Sequence, residues 1–405
     1  MRILFLCHRV PYPPNKGEKI RAFHQLKAMA ARHEVDLFTL ADDAEDLKYR
    51  SVLLEFCREV TIAPLRKTLG RVKTLPYLFT RQPLTIPYFY SRKLQVAIDE
   101  ALSTRKYDRI FVYCSAMAQY VESVSDIPVI VDMVDVDSDK WIQYASYARF
   151  PWSFIYRREG KRLREYERAT LDRVSAVLVS TEREAALMNS VKTPVHVVSN
   201  GVDTDYFKRS ENAQPKATST IIFTGDMAYF PNQQAVEFFA KDVLPLILRE
   251  VPSARFLIVG RNPNSQVLAL RDIDGVEVTG AVPDVRPYLS QATVAVAPFV
   301  IAAGIQNKIL EAMASELPVV ATTKAVQGLS ARTAALIETG DTQAELATKT
   351  CNILKNQEHA YSLGVNYRRS VMEDYSWPAA LDRLMSVIER PASYPTAGSS
   401  VHVHA

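Results

Sequence analysis

Three stretches of the 405-residue chain place charge at a helix start, two of them with glycine in spacings that suit a phosphorylated ligand. The first is HRVPYPPNKGEKIR, which follows the apolar run Ile3–Cys7 and leads into a helical pattern. Its prolines stiffen the connection, and Lys16, Gly17, Lys19 and Arg21 surround the helix start. Free N–H groups and the helix dipole favour an anion there. A rigid strand-to-helix connection with solvated lysines is the plainer reading. The second stretch, Ile127–Trp141, crowds Asp132, Asp135, Asp137 and Asp139 at the end of a buried strand. These carboxylates could bind sugar hydroxyls, act as a base or hold a metal, which needs oxygen ligands that converge in space. N-capping of the next helix by Asp137, Ser138 or Asp139 is the alternative. Asp135 and Asp137 are the candidates for the chemistry.

The third constellation spans the second half. Gly225 closes the strand Ile221–Thr224, and Arg261 follows the strand Arg255–Gly260. Gly304, Ile305, Gln306 and Asn307 lead into a helical stretch that carries Lys308 and Glu311. Lys308 and Glu311 lie three residues apart and Asn307 four from Glu311, so all three share one helix face. A diphosphate at that helix start, with a ribose hydroxyl pair on Glu311, satisfies the spacing. A surface Lys–Glu pair over Ile309, Leu310 and Met313 would give the same pattern. No G-x-G-x-x-G follows the first strand, which disfavours a dinucleotide oxidoreductase.

Two regions join basic charge to aromatic rings. Val60–Ile98 holds Arg66, Lys67, Arg71, Lys73, Arg81, Arg92 and Lys93, no acid, and Tyr77, Phe79, Tyr88, Phe89 and Tyr90. Trp141–Arg173 holds Trp152, Phe154, Tyr156, Arg157, Arg158, Lys161 and Arg162. This mixture suits an anionic membrane surface or a lipid-phosphate acceptor. Nucleic acid leaves a similar footprint but brings a recognition motif, and none accompanies these residues. Solvated faces over core aromatics would also produce it.

The elements that must position these residues alternate short apolar runs with helical stretches, the mark of parallel α/β architecture. The first half predicts strands at Ile3–Cys7, Val35–Leu40, Arg109–Cys114, Val129–Met133, Ala176–Ser180 and Val195–Ser199. Helices are expected at Glu18–Ala31, Ser153–Val174 and Glu182–Ser190. The second half predicts strands at Ile221–Thr224, Arg255–Gly260, Val276–Thr279, Val294–Ala297 and Val319–Thr322. Its helices are expected at Asn232–Arg249, Val285–Ser290 and Ile305–Ser315, with a helical stretch Gln343–Arg390 broken near Trp377-Pro378. The expected organisation is an N-terminal domain over 1–207, a polar linker over 208–220 and a C-terminal domain over 221–375. A helix over 376–390 returns toward the first domain, and a disordered tail fills 391–405. Two doubly wound domains would flank a cleft and bind ligands beyond the carboxyl ends of their strands.

Composition narrows the choices. Hydrophobic residues make up 48% and charged residues 23%, the balance of a globular chain and not of a disordered or collagenous one. The formal net charge, +4, is too weak to argue for nucleic acid. The four cysteines stand far apart with no metal-type spacing and read as reduced, so the expected location is cytoplasmic, or peripheral on the inner face of the cytoplasmic membrane. No run approaches the 18 or so apolar residues of a membrane span. Only 13 glycines occur, against a usual share of about 7%, which excludes a glycine-rich phosphate loop.

The motifs together resemble glycosyltransferase family 4, a family of retaining enzymes with the GT-B fold. AVLVSTEREAALM and VSNGVDTDYF resemble its segment closing the N-terminal domain, and IIFTGDM the strand opening the nucleotide domain. LIVGR, VTGAVPDVRPYLSQATVAVAPF and NKILEAMASELPVV follow in the same order. HRVPYPPNKGEKIRAFH, SAMAQYV, VDVDSDKW, IYRREGKRL and GIQNKILEAMA are further similar to the sugar transferases of exosortase/PEP-CTERM exopolysaccharide loci. The resemblance implies transfer of a sugar, with retention, from a UDP- or GDP-linked nucleotide diphosphate sugar to a lipid-linked or oligosaccharide acceptor, without a further cofactor. It places Glu311 on the ribose, Gly304–Gln306 near the diphosphate, Gly17 in the acceptor-side loop and Asp135 near a donor-contacting histidine. Three departures stand out: Ala303 replaces the first glutamate of E-x(7)-E, Asp226 replaces a phosphate-binding arginine, and a downstream lysine is lost within YFPNQ. Arg261 and Lys308 are expected to restore the missing charge, in which case no metal is needed. A nonhydrolysing nucleotide-sugar epimerase and a weakly catalytic sugar-nucleotide-binding scaffold are the alternatives.

Overall fold

A computed structural model describes residues 1–15, 17–65, 70, 74–209, 219–302 and 304–391. Lys16, Arg66, Lys67, Arg71, Lys73, most of the expected linker, Ala303 and nearly all of the expected tail lie outside the described residues. The chain divides into two compact units. One comprises 1–198 with the chain from Leu381 onward, the other Ser199–Ala380. The first division thus falls at Val198/Ser199, where the sequence suggests 207/208.

In the first unit the strands are β1 (Arg2–Cys7), β2 (Glu34–Ala41), β3 (Glu59–Pro64), β4 (Arg109–Tyr113), β5 (Val129–Asp132), β6 (Ala176–Val179) and β7 (Val195–Val197). They form one parallel sheet ordered β3-β2-β1-β4-β5-β6-β7. Both faces are buried, which is why these strands read as apolar runs and not as alternating patterns. Leu4, Leu6, Ile110, Val112, Val129 and Val131 point into one core with Leu94, Ile98 and Leu171. Ile3, Phe5, Phe111, Tyr113 and Ile130 point into the other with Ala22, Leu26 and Met29. Leu384, Met385, Val387 and Ile388, the end of the last helix Trp377–Ile388, complete that second core. The edge strand β3 is absent from the sequence reading: polar Glu59 and Thr61 and the terminal Pro64 hide it, as an edge position allows.

The second unit repeats the plan with β8 (Thr220–Thr224), β9 (Arg255–Val259), β10 (Val276–Gly280), β11 (Val294–Ala297), β12 (Val319–Ala321) and β13 (Glu338–Thr339). Its order is β10-β9-β8-β11-β12-β13, again all parallel. In each sheet the order reverses once, between β1 and β4 and between β8 and β11. The expected helix Asn232–Arg249 is continuous but changes pitch, with a wider turn over Phe239–Val243. Pro245 lacks the N–H that the preceding turn would receive, and the wider turn absorbs that loss. The last stretch breaks twice, giving Gln343–Lys355, Gln357–Asp374 and Trp377–Ile388. Gly201 lies flat against Trp377, where a Cβ would strike the indole ring.

One buried ion pair ties the first helix of the first unit, Gly17–Arg32, to the sheet. Arg21 donates to Asp132 at the end of β5 from Nε (3.0 Å) and Nη2 (2.7 Å), and Gln25, one turn on, donates at 2.7 Å. The second Asp132 oxygen accepts from the Val134 amide at 2.8 Å. Both charged side chains are excluded from solvent. Arg21→Met strands that carboxylate and is expected to cost about 3–5 kcal/mol of stability, read as a lower urea midpoint with an unchanged slope.

Candidate functional site

Ligands in doubly wound sheets bind beyond the carboxyl ends of the strands where the strand order reverses. In the first unit that edge carries His8 after β1, Cys114 after β4, and the loop from Met133 to Val136 after β5. His8 is buried, stacked on Tyr113 (5.9 Å between centroids) and edge-on to Phe89 (5.6 Å). Its Nδ1 has no hydrogen-bond partner. Burial, then Arg9, push its pKa down to about 4 against the pull of Glu18 and Asp137, so the ring is neutral at pH 7. Cys114 sits in left-handed backbone (φ 81°) and turns its thiol to Asp137 Oδ2 at 3.8 Å.

The four aspartates of the second sequence stretch take four environments. Asp132 belongs to the Arg21 pair and is structural. Asp137 accepts from Lys140 at 3.4 Å, and Asp139 from Gln143 (2.7 Å) and Arg183 (3.0 Å). At Asp135 burial, with Asp137 and Glu18, raises the pKa against Lys140 and Arg21. Neither Asp137 nor Asp139 caps the helix Asp137–Tyr147; both lie in its first turn, where the dipole favours acids. Among the described residues no group of His, Cys, Asp or Glu is placed to hold a metal ion. Glu184 lies nearby: burial and Asp135 lift it to about 7, while the Ser180 amide (3.1 Å) and hydroxyl (2.7 Å) donate to it.

The early loop distributes its charges differently from the sequence expectation. Lys19 is buried and gives its ammonium to Asp46 at 3.0 Å. Arg9 pairs with Glu18 at 2.8 Å. Gly17 is the first residue of its helix, and Lys16 lies outside the described residues.

In the second unit the reversal point brings Gly225, after β8, beside Lys308, in the first turn of the helix Asn307–Ala314. A Cβ at Gly225 would stand 2.9 Å from Lys308 Nζ and 2.8 Å from Asn232 Nδ2, so only glycine leaves this seat open. A Cβ on Gly260, the first residue after the neighbouring strand β9, would overlap the Gly225 carbonyl. Lys308 Nζ donates to Asn232 Oδ1 at 2.6 Å and lies 4.1 Å over the Phe223 ring and 4.7 Å from Phe299. Asn232 Nδ2 in turn donates to the Asp226 carbonyl at 2.8 Å. Burial drives the Lys308 ammonium down to about 7 against the pull of Glu311, and burial raises Glu311 against Lys308.

Arg261 is held in the same unit but is neutralised. Its Nε donates to Asp226 Oδ2 at 2.9 Å, and Asn262 (3.0 Å) and the Ala228 amide (3.0 Å) donate to the other oxygen. Those hydrogen bonds hold Asp226 below its usual pKa, outweighing the upward push of burial. The residue expected to restore a lost cation thus answers the acid that replaced it. Gly304 takes left-handed backbone (φ 61°), and its carbonyl stands where a Cβ on Gly328 would fall. Ile305 packs in the core, so only its backbone can meet a ligand. Gln306 is the N-cap residue of the helix, and Asn307 Oδ1 accepts from Asn200 Nδ2 at 3.2 Å. Glu311 is half-buried on the expected face.

Sequence reasoning missed His8, Asn232, Phe223 and Phe299. His8 carried a signal, as the first residue past the first strand. The other three carried none, because a core phenylalanine and a cation-facing one read alike.

Family models match both halves: "Glycosyltransferase Family 4" over residues 17–206 and "Glycosyl transferases group 1" over 218–356. No curated protein matches the chain. Among solved structures the chain is similar to sucrose-phosphate synthase from Thermosynechococcus elongatus, at 17% identity and TM-score 0.67, covering 96% of this chain and 98% of that one. It is also similar to HepE of Anabaena in complex with UDP-glucose (15% identity, TM-score 0.65, 96% and 99% covered) and to TarM (12%, 0.65, 96% and 99%). The two Rossmann-like domains belong to the GT-B fold.

A lysine with a folded pKa near 7 and an ordinary value of 10.5 binds fewer protons in the folded than in the unfolded chain between those limits. The stability of the protein relative to Lys308→Met should therefore rise as pH climbs from about 7 toward 10. Paired denaturant titrations across that range check it, and a pH-independent difference contradicts it.

Proposed function

We propose that this chain, a glycosyltransferase of the GT-B fold, moves a hexose from a UDP- or GDP-linked donor to a lipid-linked or oligosaccharide acceptor with retention of anomeric configuration. The observation that carries the reading is the Lys308 ammonium seated over Gly225 at the reversal point of the second sheet, at the start of the helix Asn307–Ala314. HepE has been solved with UDP, with UDP and glucose, and with UDP-glucose, which supports a nucleotide-sugar donor of that kind here. Exopolysaccharide assembly is the proposed setting, with the protein peripheral on the inner face of the cytoplasmic membrane.

The barrier in such a transfer is departure of the nucleotide diphosphate while positive charge grows on the sugar. A cation and helix N-terminal N–H groups aimed at the leaving phosphate stabilise that charge. Lys308 supplies the first, and the amides following Gly304 supply the second. Glu311, one turn on from Lys308, accepts the ribose hydroxyls. On the first domain, Asp135 and Asp137 bind sugar or acceptor hydroxyls, and orienting the attacking oxygen is their share of the catalysis. Attack comes from the leaving-group face, so the acceptor proton passes to the departing phosphate oxygen and no protein nucleophile is needed. This chemistry needs no metal where Lys308 and the helix amides meet the diphosphate.

A second reading has one observation in its favour: Asp226 with Arg261 leaves a compensated pair where the family resemblance expects a free phosphate-binding cation. A weakly active, nucleotide-sugar-binding subunit would show tight binding without transfer or donor hydrolysis. A thermal-shift screen of UDP- and GDP-sugars identifies the donor, since a bound ligand raises stability by mass action. Lys308→Ala and Glu311→Ala are each expected to weaken nucleoside diphosphate binding about tenfold or more in calorimetry. Unchanged affinity in both variants removes the site from this helix.

A further inference from the structure

Within the first unit, the helices Asp137–Tyr147 and Trp152–Leu171 form a hairpin whose inner faces meet through Trp141, Tyr144 and Tyr156. Its tip turns the opposite way. Phe150, Trp152 and Phe154 are 82, 57 and 65% exposed. Phe79, 94% exposed, protrudes from a segment fixed to the same hairpin. Arg158 donates to the carbonyl oxygens of Tyr77 (2.6 Å) and Thr80, on either side of Phe79. Glu159 accepts from the Leu84 and Thr85 amides at 2.7 and 2.8 Å and from the Thr85 hydroxyl at 2.8 Å. Phe154 stands one turn before Arg158 on the same helix face.

We propose that this hairpin tip, with the segment it clamps, is a docking surface for an anionic lipid bilayer. Large aromatic rings gathered in water are disfavoured in a soluble domain, and clustered exposure marks an interaction site. The charge selects the occupant. No acid occurs from Lys140 to Arg158 or from Val60 to Ile98. Arg81, Arg149, Arg157 and Lys161 are exposed around the rings. Aromatic rings settle at the headgroup level of a bilayer, and neighbouring arginines gain from anionic phosphates within a Debye length. Glu159, the acidic residue nearest the tip, is buried and spent on the clamp, and the exposed Glu165, further along the same helix, faces Arg162 at 3.3 Å. Among the described residues no helix is long and apolar enough to cross a membrane, so the contact is interfacial.

The inference rests on the proposed function only for its biological use, and its test is independent of nucleotide binding. Full-length protein is sedimented with vesicles of phosphatidylcholine alone and of phosphatidylcholine with phosphatidylglycerol, at low and high salt. Wild type should pellet with the anionic vesicles at low salt and be released by high salt. F79S/F150S/F154S and R149E/R157E should each lower the partition coefficient about tenfold or more, with unchanged thermal unfolding and unchanged nucleoside diphosphate affinity. Absence of wild-type pelleting on anionic vesicles at low salt overturns the proposal, as does equal pelleting of wild type and both variants. A variant that pellets normally but changes the oligomeric mass in lipid-free light scattering also overturns it, because the face would then serve a second copy of the chain. Loss of nucleotide binding with vesicle binding intact would count against the proposed function alone.

Discussion

Everything chemical in this molecule depends on one topological constraint, the single reversal of strand order in each parallel sheet. Parallel strands joined through helices send their connections to opposite faces on either side of a reversal. Loops therefore part above that point, and the first residue after each flanking strand stands in the gap. In the first domain those residues are His8 and Cys114, in the second Gly225 and Pro298, and His8 and Gly225 follow the first strand of each domain. A side chain with a hydrogen-bonding ring occupies one gap, and the absence of any side chain defines the other. In the second gap the space left by glycine is filled from a distance by Lys308.

The two gaps hold charge by different means. In the first domain carboxylates meet fixed partners, Asp132 with Arg21 and Asp139 with Arg183, so the negative charge of the loop is mostly answered inside the protein. In the second, among the described residues, an amide oxygen, two ring faces and the more distant Glu311 answer Lys308. A buried ammonium without a bonded carboxylate is unfavourable, which is what its lowered pKa expresses. Such a group is what an incoming phosphate would stabilise most. Arg261 shows the contrast, since its guanidinium already has Asp226.

The strands and their order along the chain were legible because both sheets are buried on two faces, and runs such as Ile3–Cys7 or Val294–Ala297 can hardly be read otherwise. Of the four edge strands β7 and β10 were legible and the other two were not: β3 carries Glu59 and Thr61, and β13 is two residues long. The helix face of Lys308 and Glu311 followed from spacing alone, whereas the Asn232 contact joins residues 76 apart in sequence. Partnering was the least legible property. Lys19 and Arg261 look like free cations in the sequence, and Asp46 and Asp226 claim them only once the chain is folded. In the aspartate-rich stretch, periodicity could not tell Asp132, sealed by Arg21, from Asp135, whose pKa burial raises.

The pairing of Asp226 with Arg261 makes these two positions depend on each other. An arginine introduced at 226 alone would set two guanidinium groups side by side at the strand ends and deprive Asn262 and the Ala228 amide of their acceptor. A neutral residue at 261 alone would remove the cation from the Asp226 carboxylate and leave it to Asn262 and the Ala228 amide. The network at these strand ends therefore survives only when both residues stay or both change, and Asp226 is one half of a pair rather than a lone acid.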